Sequence, residues 1–130
     1  MKPVKFIPLS VVAVGFFLVG AVPVISETEI ANPNDALNKH FAIASERCGK
    51  DEIQFHSRQE GADGPHNKVY SINCARVLFR EVFDGTSGPA DFPVQSQDAP
   101  SEPIENDSKI APLAAHVCKQ HGVPLVGIQW

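Results

Sequence analysis

The first 26 residues place the strongest constraint on how this chain can fold. Lys2 and Lys5 precede an apolar run over residues 6–19, and small residues follow around Ala21 and Ser26. A positive start, a short apolar core and a small-residue exit are typical of a secretory signal peptide, which is removed and takes no part in the fold. We therefore expect a secreted, extracellular protein, with residues 1–26 as its signal peptide.

Two cleavage points satisfy the small-residue rule, one between Ala21 and Val22 and the other between Ser26 and Glu27, each with a valine at the third position before the cut. We prefer the second. The alternative is an uncleaved membrane anchor, because residues 6–25 match the roughly 20 apolar residues that a spanning helix needs. Prolines and glycines interrupt that run and no basic residue directly follows it, so cleavage is favoured.

Cleavage before Glu27 leaves 104 residues, enough for one small domain. This mature chain keeps all 15 acidic residues and 9 of the 11 basic ones, so its net charge is −6. Such a charge disfavours nucleic acid as a partner, and it disfavours an anionic membrane once the signal is gone.

Most of the negative charge lies in residues 84–109, which hold six acidic residues, four prolines and one lysine. Few of these side chains can be buried, so we expect an acidic, proline-rich, disordered loop. It separates the two parts of a single domain, residues 27–83 and residues 110–130. A solvated spacer is the favoured interpretation, and a partner-binding strip anchored by Phe92 and Val94 is the other.

Asn106 begins an Asn-Asp-Ser sequon inside this loop. An exposed sequon in a secreted protein is an acceptor for N-linked glycan in a eukaryotic host. Asn106 is therefore a predicted glycosylation site.

Alternating apolar residues predict a β-hairpin over residues 52–57 and 68–73, because a Gly-rich break lies between the two runs. A turn centred near residue 62 pairs Ile53 with Ile72 and Phe55 with Tyr70. All four apolar side chains then share one face of the hairpin.

Helical spacing of apolar residues predicts helices over residues 34–48, 73–83 and 108–121, each with an Asn or Ser at its start as a cap. Residues 124–130 suggest a last strand. These elements predict an α+β fold, in which a small antiparallel sheet of the hairpin plus the C-terminal strand is covered by two or three helices.

The three cysteines allow three single pairings, and a secreted context favours a bridge. Loop-closure estimates run only from about 3.5 to about 4.4 kcal/mol, so chain entropy does not choose among them. The hairpin register places Cys74 opposite Asp51, three positions past Cys48. We therefore favour a disulfide between Cys48 and Cys74, with Cys118 as a buried thiol or an intermolecular link, and three free thiols as the alternative.

His56, Arg58 and Glu60 alternate along one predicted strand and so share a face. Such a trio could cleave a phosphodiester, with His and Glu exchanging protons and Arg stabilising the developing charge. The same spacing is common on any solvated strand face, which is the favoured interpretation. The trio resembles that of T1-type ribonucleases, although the aromatic-x-Cys start of that family is absent.

Two other groups of residues carry side chains capable of chemistry. His116, Cys118 and His121 could share a helical face as metal ligands, but zinc needs four donors or three plus water, and the remaining cysteines and histidines form no paired pattern. No local signature supports a nucleophile at Cys74 or Cys118. We expect no catalytic residue, no metal and no cofactor.

As a whole, the chain resembles the small secreted effector-like proteins of plant-associated fungi, with a signal peptide, about a hundred mature residues and few cysteines. The resemblance implies a non-enzymatic virulence protein that binds a protein partner, such as a host component, through surface loops or a sheet edge. The alternatives are a secreted ribonuclease-like hydrolase and a bacterial envelope protein held by an uncleaved N-terminal helix.

Overall fold

The structure is a computed structural model that describes residues 24–95 and 99–128, with only the backbone of residues 24–26. Its elements, in chain order, are β1 (Val24–Ile30), β2 (Lys39–Arg47), β3 (Glu52–Gly61), β4 (Gly64–Asn73), β5 (Leu78–Gly85), β6 (Glu102–Pro103) and α1 (Ile110–Gln120). Residues 1–23, most of the predicted signal peptide, lie outside the described residues. Within the described ranges, no helix has the length and apolar character needed to cross a bilayer.

The six strands form one antiparallel sheet in which each strand pairs with its neighbour in sequence. Its centre is the β3–β4 hairpin, and the predicted register is confirmed, because Ile53 pairs with Ile72 and Phe55 with Tyr70. Two residues connect the strands, and β4 begins at Gly64, whose φ of 86° is readily adopted only by glycine. The glycine-rich break and the alternation of apolar residues on both sides of it determine the register of the β3–β4 hairpin.

The predicted α+β fold is wrong, because the sheet dominates and α1 is the one helix of the described residues. Residues 34–48, predicted to be a helix, form a turn-rich loop and then β2. Residues 73–83, also predicted to be a helix, form a turn and most of β5. Residues 123–128 contain no strand, and residues 129–130 lie outside the described part of the chain.

Both misassigned strands contain a β-bulge. The pairing of β2 with β3 shifts between Ala42 and Ala44. On β5, Glu81 pairs with β4 and then Phe83 does, so Val82 is the extra residue. A bulge changes which residues share a face, and it therefore interrupts the two-residue period that identifies a strand. Leu37, an apolar residue of the first predicted helix, is 88% exposed.

The helix predicted for residues 108–121 is present as α1, which packs on one face of the sheet. Its buried residues recur three and four positions apart, and they meet the apolar side chains of β3 and β4. The core includes Ile110, Ala111, Leu113, Ala114, Val117 and Cys118 of the helix, Ile53, Phe55 and Ile72 of the sheet, and Cys74 just after β4. Pro112 lies in the first turn, where a missing N–H costs no helical hydrogen bond.

A disulfide joins Cys74, just after β4, to Cys118 in α1, with 6.0 Å between their Cα atoms. Cys48 is a free, half-buried cysteine, so the predicted disulfide between Cys48 and Cys74 is wrong. The physical reason is the strand order. β2 and β4 flank β3 on opposite sides and lie roughly 10 Å apart, which is beyond the reach of a disulfide.

Residues 86–95, here called the strap, cross the opposite face of the sheet. The side chain of Gln54 and the backbone of Val94 exchange two hydrogen bonds of 2.7 Å, and Asn67 Nδ2 donates to the Thr86 carbonyl at 3.1 Å. Val69 and Val82 are buried but lie outside the helix-side core.

The strap belongs to residues 84–109, the segment predicted to be disordered. The same segment contains β6 and, directly after it, the buried Ile104, whose N–H donates to the Val77 carbonyl at 2.9 Å. The division of the chain at this segment stays a prediction.

Candidate functional site

The predicted trio His56, Arg58 and Glu60 lies on β3 and faces away from α1. Ile53 and Phe55 point toward the helix and belong to its core. Because successive side chains of a strand point to opposite faces, the even-numbered side chains of β3 point away from the helix. The three residues therefore share a face, as their spacing predicts.

Arg58 is held by two carboxylates and an aromatic ring. Its Nε donates to Glu60 Oε2 at 2.6 Å, a second guanidinium nitrogen donates to Glu27, and the guanidinium lies over the Phe41 ring. The hydrogen bond to Glu27 and that to Glu60 raise the pKa of Arg58. The bond from Arg58 lowers the pKa of Glu27. The charge of Arg58 is therefore already compensated within the protein.

His56 is held separately from the other two. Its Nε2 lies 2.8 Å from Asn67 Oδ1, and its ring centre lies 6.3 Å from that of Phe92 in the strap. A Cβ added at Gly88 would come within 3.2 Å of the imidazole, so the strap backbone passes close over the ring. His56 thus serves as a contact between the sheet and the strap.

These contacts leave the trio without the arrangement that phosphodiester cleavage needs. Acid–base catalysis requires the imidazole and the carboxylate to flank one substrate position, with the guanidinium free to meet the developing charge. Here Arg58 and Glu60 bond each other, and no hydrogen bond described in the structure joins His56 to either of them.

The predicted helical group is also divided. Cys118 is in the disulfide and cannot ligate a metal, and His121 Nε2 lies 2.8 Å from Ser45 Oγ on the sheet. Burial lowers the pKa of His116, and burial together with the positive charge of Arg47 lowers that of His121. Over residues 24–95 and 99–128, no group of three or more His, Cys, Asp or Glu is placed to hold a metal ion.

Neither proposed cysteine nucleophile is a free thiol, because Cys74 and Cys118 bond each other. The remaining thiol is Cys48. Burial raises its pKa, a backbone hydrogen bond opposes that effect, and the negative charges of Glu46 and Glu52 raise the pKa further. The environment of Cys48 therefore favours the unreactive thiol over the thiolate.

A buried polar cluster lies at the start of β2 and was not found from the sequence. Asp35 and His40 are 5% and 3% exposed, and His40 Nε2 lies 2.8 Å from Asp35 Oδ2. Asn38 Nδ2 lies 3.1 Å from each carboxylate oxygen of Asp35. Burial acts to raise the pKa of Asp35, but these hydrogen bonds and the positive charge of Lys109 outweigh it and lower the pKa. The dense Asn and Asp content of residues 32–38 was the available signal.

The same loop is bonded to the segment before α1. Asn32 Nδ2 donates to the Lys109 carbonyl at 2.9 Å, and Asn34 Nδ2 donates to the carbonyls of Ser108 at 2.8 Å and Asn106 at 3.2 Å. The sequon therefore lies in an exposed turn whose backbone carbonyls accept hydrogen bonds from the Asn34 side chain, and the Asn106 side chain is exposed. Its glycosylation stays a prediction.

Two neighbouring apolar grooves, here called the helix-side grooves, flank the outer surface of α1. Both include Ala115 and Lys119. The first encloses about 410 Å³ and is also lined by Ala31, Pro33, Pro112 and His116. The second encloses about 320 Å³ and is also lined by Gly122, Val123, Pro124, Leu125 and Ile128. Val126, beside the second groove, is 67% exposed.

No protein-family model, curated protein or solved structure matches this chain.

Proposed function

We propose that this chain is a small secreted protein that acts by binding a protein partner outside the cell, without catalysis. The observation that carries the proposal is the pair of helix-side grooves. Concave apolar surfaces on a small domain are typical of sites that receive a partner, because water leaves them at little cost when apolar side chains enter. Lys119 is common to both grooves, so we expect the partner to place an acidic group between two apolar contacts.

The contacts of Arg58 support a binding role over the ribonuclease-like alternative. A guanidinium already bound by Glu27 and Glu60 would have to break both ion pairs before it could meet a phosphate. A net charge of −6 on the mature chain works against nucleic acid as a ligand and against an anionic membrane after signal cleavage.

Secretion is supported by the Cys74–Cys118 disulfide, because such bonds persist in oxidising compartments. Effector-like activity toward a host component is the specific form of the proposal. It follows from the predicted signal peptide and from the small, cysteine-containing chain that would remain after its removal.

A binding experiment with matched variants tests the proposal. The secreted wild-type protein is used to capture and identify a partner from host extract, and the Kd is then measured for Ala115→Arg and Ala62→Arg. Ala115 lies between the two grooves, whereas Ala62 is exposed in the β3–β4 turn. We expect Ala115→Arg to weaken binding at least about tenfold and Ala62→Arg to leave it unchanged. Equal affinity of the two variants would contradict a role for the grooves.

An RNA-cleavage assay tests the alternative. We expect no turnover by the wild-type protein. Turnover that is lost in His56→Ala and retained in His66→Ala would replace the binding proposal with the hydrolase. His66 is the matched control, because it lies on the neighbouring strand and pairs with Gln59.

A further inference from the structure

We propose that a cavity between the β2–β3 turn, the β4–β5 turn and the end of α1 binds a small apolar α-amino acid. This cavity, here called the turn cavity, encloses about 180 Å³ and is lined by Arg47, Lys50, Asp51, Ile53, Ala75 and Val123. It is separate from the helix-side grooves, except that Val123 also lines the second groove. Binding here goes beyond the proposed capture of a protein partner, and its test needs no partner.

The first wall of the turn cavity comes from the ends of two strands. Arg47, the last residue of β2, pairs directly with Ile53 near the start of β3, so the two side chains lie on the same face of the sheet. That face packs against α1, because Ile53 belongs to the core. Burial, and then the positive charge of Arg47, lowers the pKa of His121 at the end of the helix. Arg47 therefore carries its charge between the sheet and the end of α1.

The disulfide holds the opposite wall. Cys74 directly precedes Ala75, and the Val123 N–H donates to the carbonyl of Cys118 at 2.8 Å. The bond between Cys74 and Cys118 therefore positions two lining residues that are far apart in sequence. A cavity held by a disulfide and backbone hydrogen bonds is formed before a ligand arrives, so binding costs little ordering of the protein.

The charges that line the turn cavity favour a zwitterion. Arg47 and Lys50 provide two cations in a chain with a net charge of −4, and Asp51 provides one carboxylate. Among the residues that the structure describes, neither cation is in an ion pair, whereas Arg58 is in two. A ligand carboxylate can bind the Arg47 guanidinium through two parallel hydrogen bonds, and a ligand ammonium can donate to Asp51.

The apolar lining and the size of the cavity restrict the rest of the ligand. Ile53, Ala75 and Val123 have no polar side-chain atoms, so they match an aliphatic group. The volume of about 180 Å³ is below the roughly 300 Å³ at which pockets for drug-sized ligands begin. An aliphatic amino acid is small and carries both charges on one carbon. Inorganic phosphate would instead bring a like charge to Asp51 and leave the apolar wall uncovered.

Isothermal titration calorimetry of the secreted wild-type protein with L-valine, L-leucine and inorganic phosphate tests the proposal. We expect saturable binding of L-leucine. Isocaproate, which lacks the ammonium, and isoamylamine, which lacks the carboxylate, should each bind at least about tenfold more weakly than L-leucine. Failure of both amino acids to bind, or tighter binding of phosphate than of either, would overturn the proposal.

Matched variants then test the lining residues. Arg47→Ala should weaken L-leucine binding at least about tenfold, and Arg76→Ala should leave the Kd unchanged, because Arg76 is exposed in the β4–β5 turn and does not line the cavity. Asp51→Asn should weaken the binding of L-leucine but not that of isocaproate, because only the amino acid carries an ammonium. Misfolding would weaken both ligands together. Equal Kd values for the two arginine variants, or an equal loss of both ligands in Asp51→Asn, would overturn the assignment.

Discussion

The guanidinium carbon of Arg58 lies 4.7 Å from the centre of the Phe41 ring, and the two residues pair directly across β2 and β3. Glu60 on the same strand and Glu27 on β1 bind the nitrogens of that guanidinium. One side chain therefore connects three adjacent strands on the face away from α1. The residue that sequence spacing offered as a catalytic cation acts as a structural clamp.

Replacing Arg58 with Ala should destabilise the fold by roughly 1 to 2 kcal/mol, because the stack on Phe41 and the bond to Glu60 are both lost. Arg58→Lys should recover only part of the loss, since an ammonium cannot bind two carboxylates and stack in the same geometry. Arg76→Ala is the control, because Arg76 is exposed in the β4–β5 turn. Urea unfolding measures the three values, and equal stability of the Arg58 and Arg76 variants would contradict the clamp.

Removing the disulfide should lower the free energy of unfolding more than replacing Arg58 does. Cys74 and Cys118 close a loop with a sequence separation of 44 residues, which corresponds to about 4 kcal/mol of loop-closure entropy. We expect the double variant Cys74→Ser, Cys118→Ser to unfold at a much lower urea concentration, and Cys48→Ser to behave like the wild type. A Cys48 variant as unstable as the double variant would show that the pairing is different.

The buried pair of Asp35 and His40 predicts a dependence of stability on pH. The folded-state pKa of Asp35 lies below its ordinary value of 3.8, so the unfolded chain binds more protons as the pH falls through this range. The stabilisation is therefore complete above the ordinary pKa and is lost below it. We expect the free energy of unfolding of the wild type to exceed that of Asp35→Asn by about 2 kcal/mol at neutral pH, as measured by urea unfolding. This difference should shrink below pH 3.8. A difference that does not change with pH would contradict this assignment.

The two hydrogen bonds between Gln54 and Val94 should protect the strap from local opening. Each contributes about 1 kcal/mol net, so Gln54→Ala should speed hydrogen exchange at the Val94 amide by roughly 30-fold. Gln59→Ala is the matched control, because Gln59 lies on the same strand and faces the other side of the sheet. Exchange at Val94 that is the same in both variants would show that the strap is held by other contacts.

The sequence predicts those parts of the fold in which one period runs without interruption. The β3–β4 register follows from strict alternation on both sides of a two-residue turn, and α1 follows from helical spacing that ends before Gly122. The sequence pattern predicts helices at β2 and β5, because a bulge in each strand breaks the alternation and only the pairing with the neighbouring strand reveals the extra residue.

The sequence also predicts only part of the candidate site. Spacing placed His56, Arg58 and Glu60 on one face, but the partner that occupies Arg58 comes from β1, 31 residues away in sequence. The disulfide prediction was wrong for a related reason. The register of β3 with β4 was predicted correctly up to the pair of Glu52 and Asn73. The position of Cys48, however, depended on a helix that is in fact β2, which lies on the other side of β3 from β4. Contacts between distant segments carry no periodic signal in the chain.

We propose that this chain is exported and loses its signal peptide, and that a disulfide then joins the helix of its folded domain to the sheet. A disulfide map and intact mass of the secreted protein, alkylated without reduction, test it most directly. We expect a chain without its signal peptide, a crosslinked peptide pair containing Cys74 and Cys118, and an alkylated Cys48. A product that retains Met1, with all three cysteines alkylated, would contradict the claim.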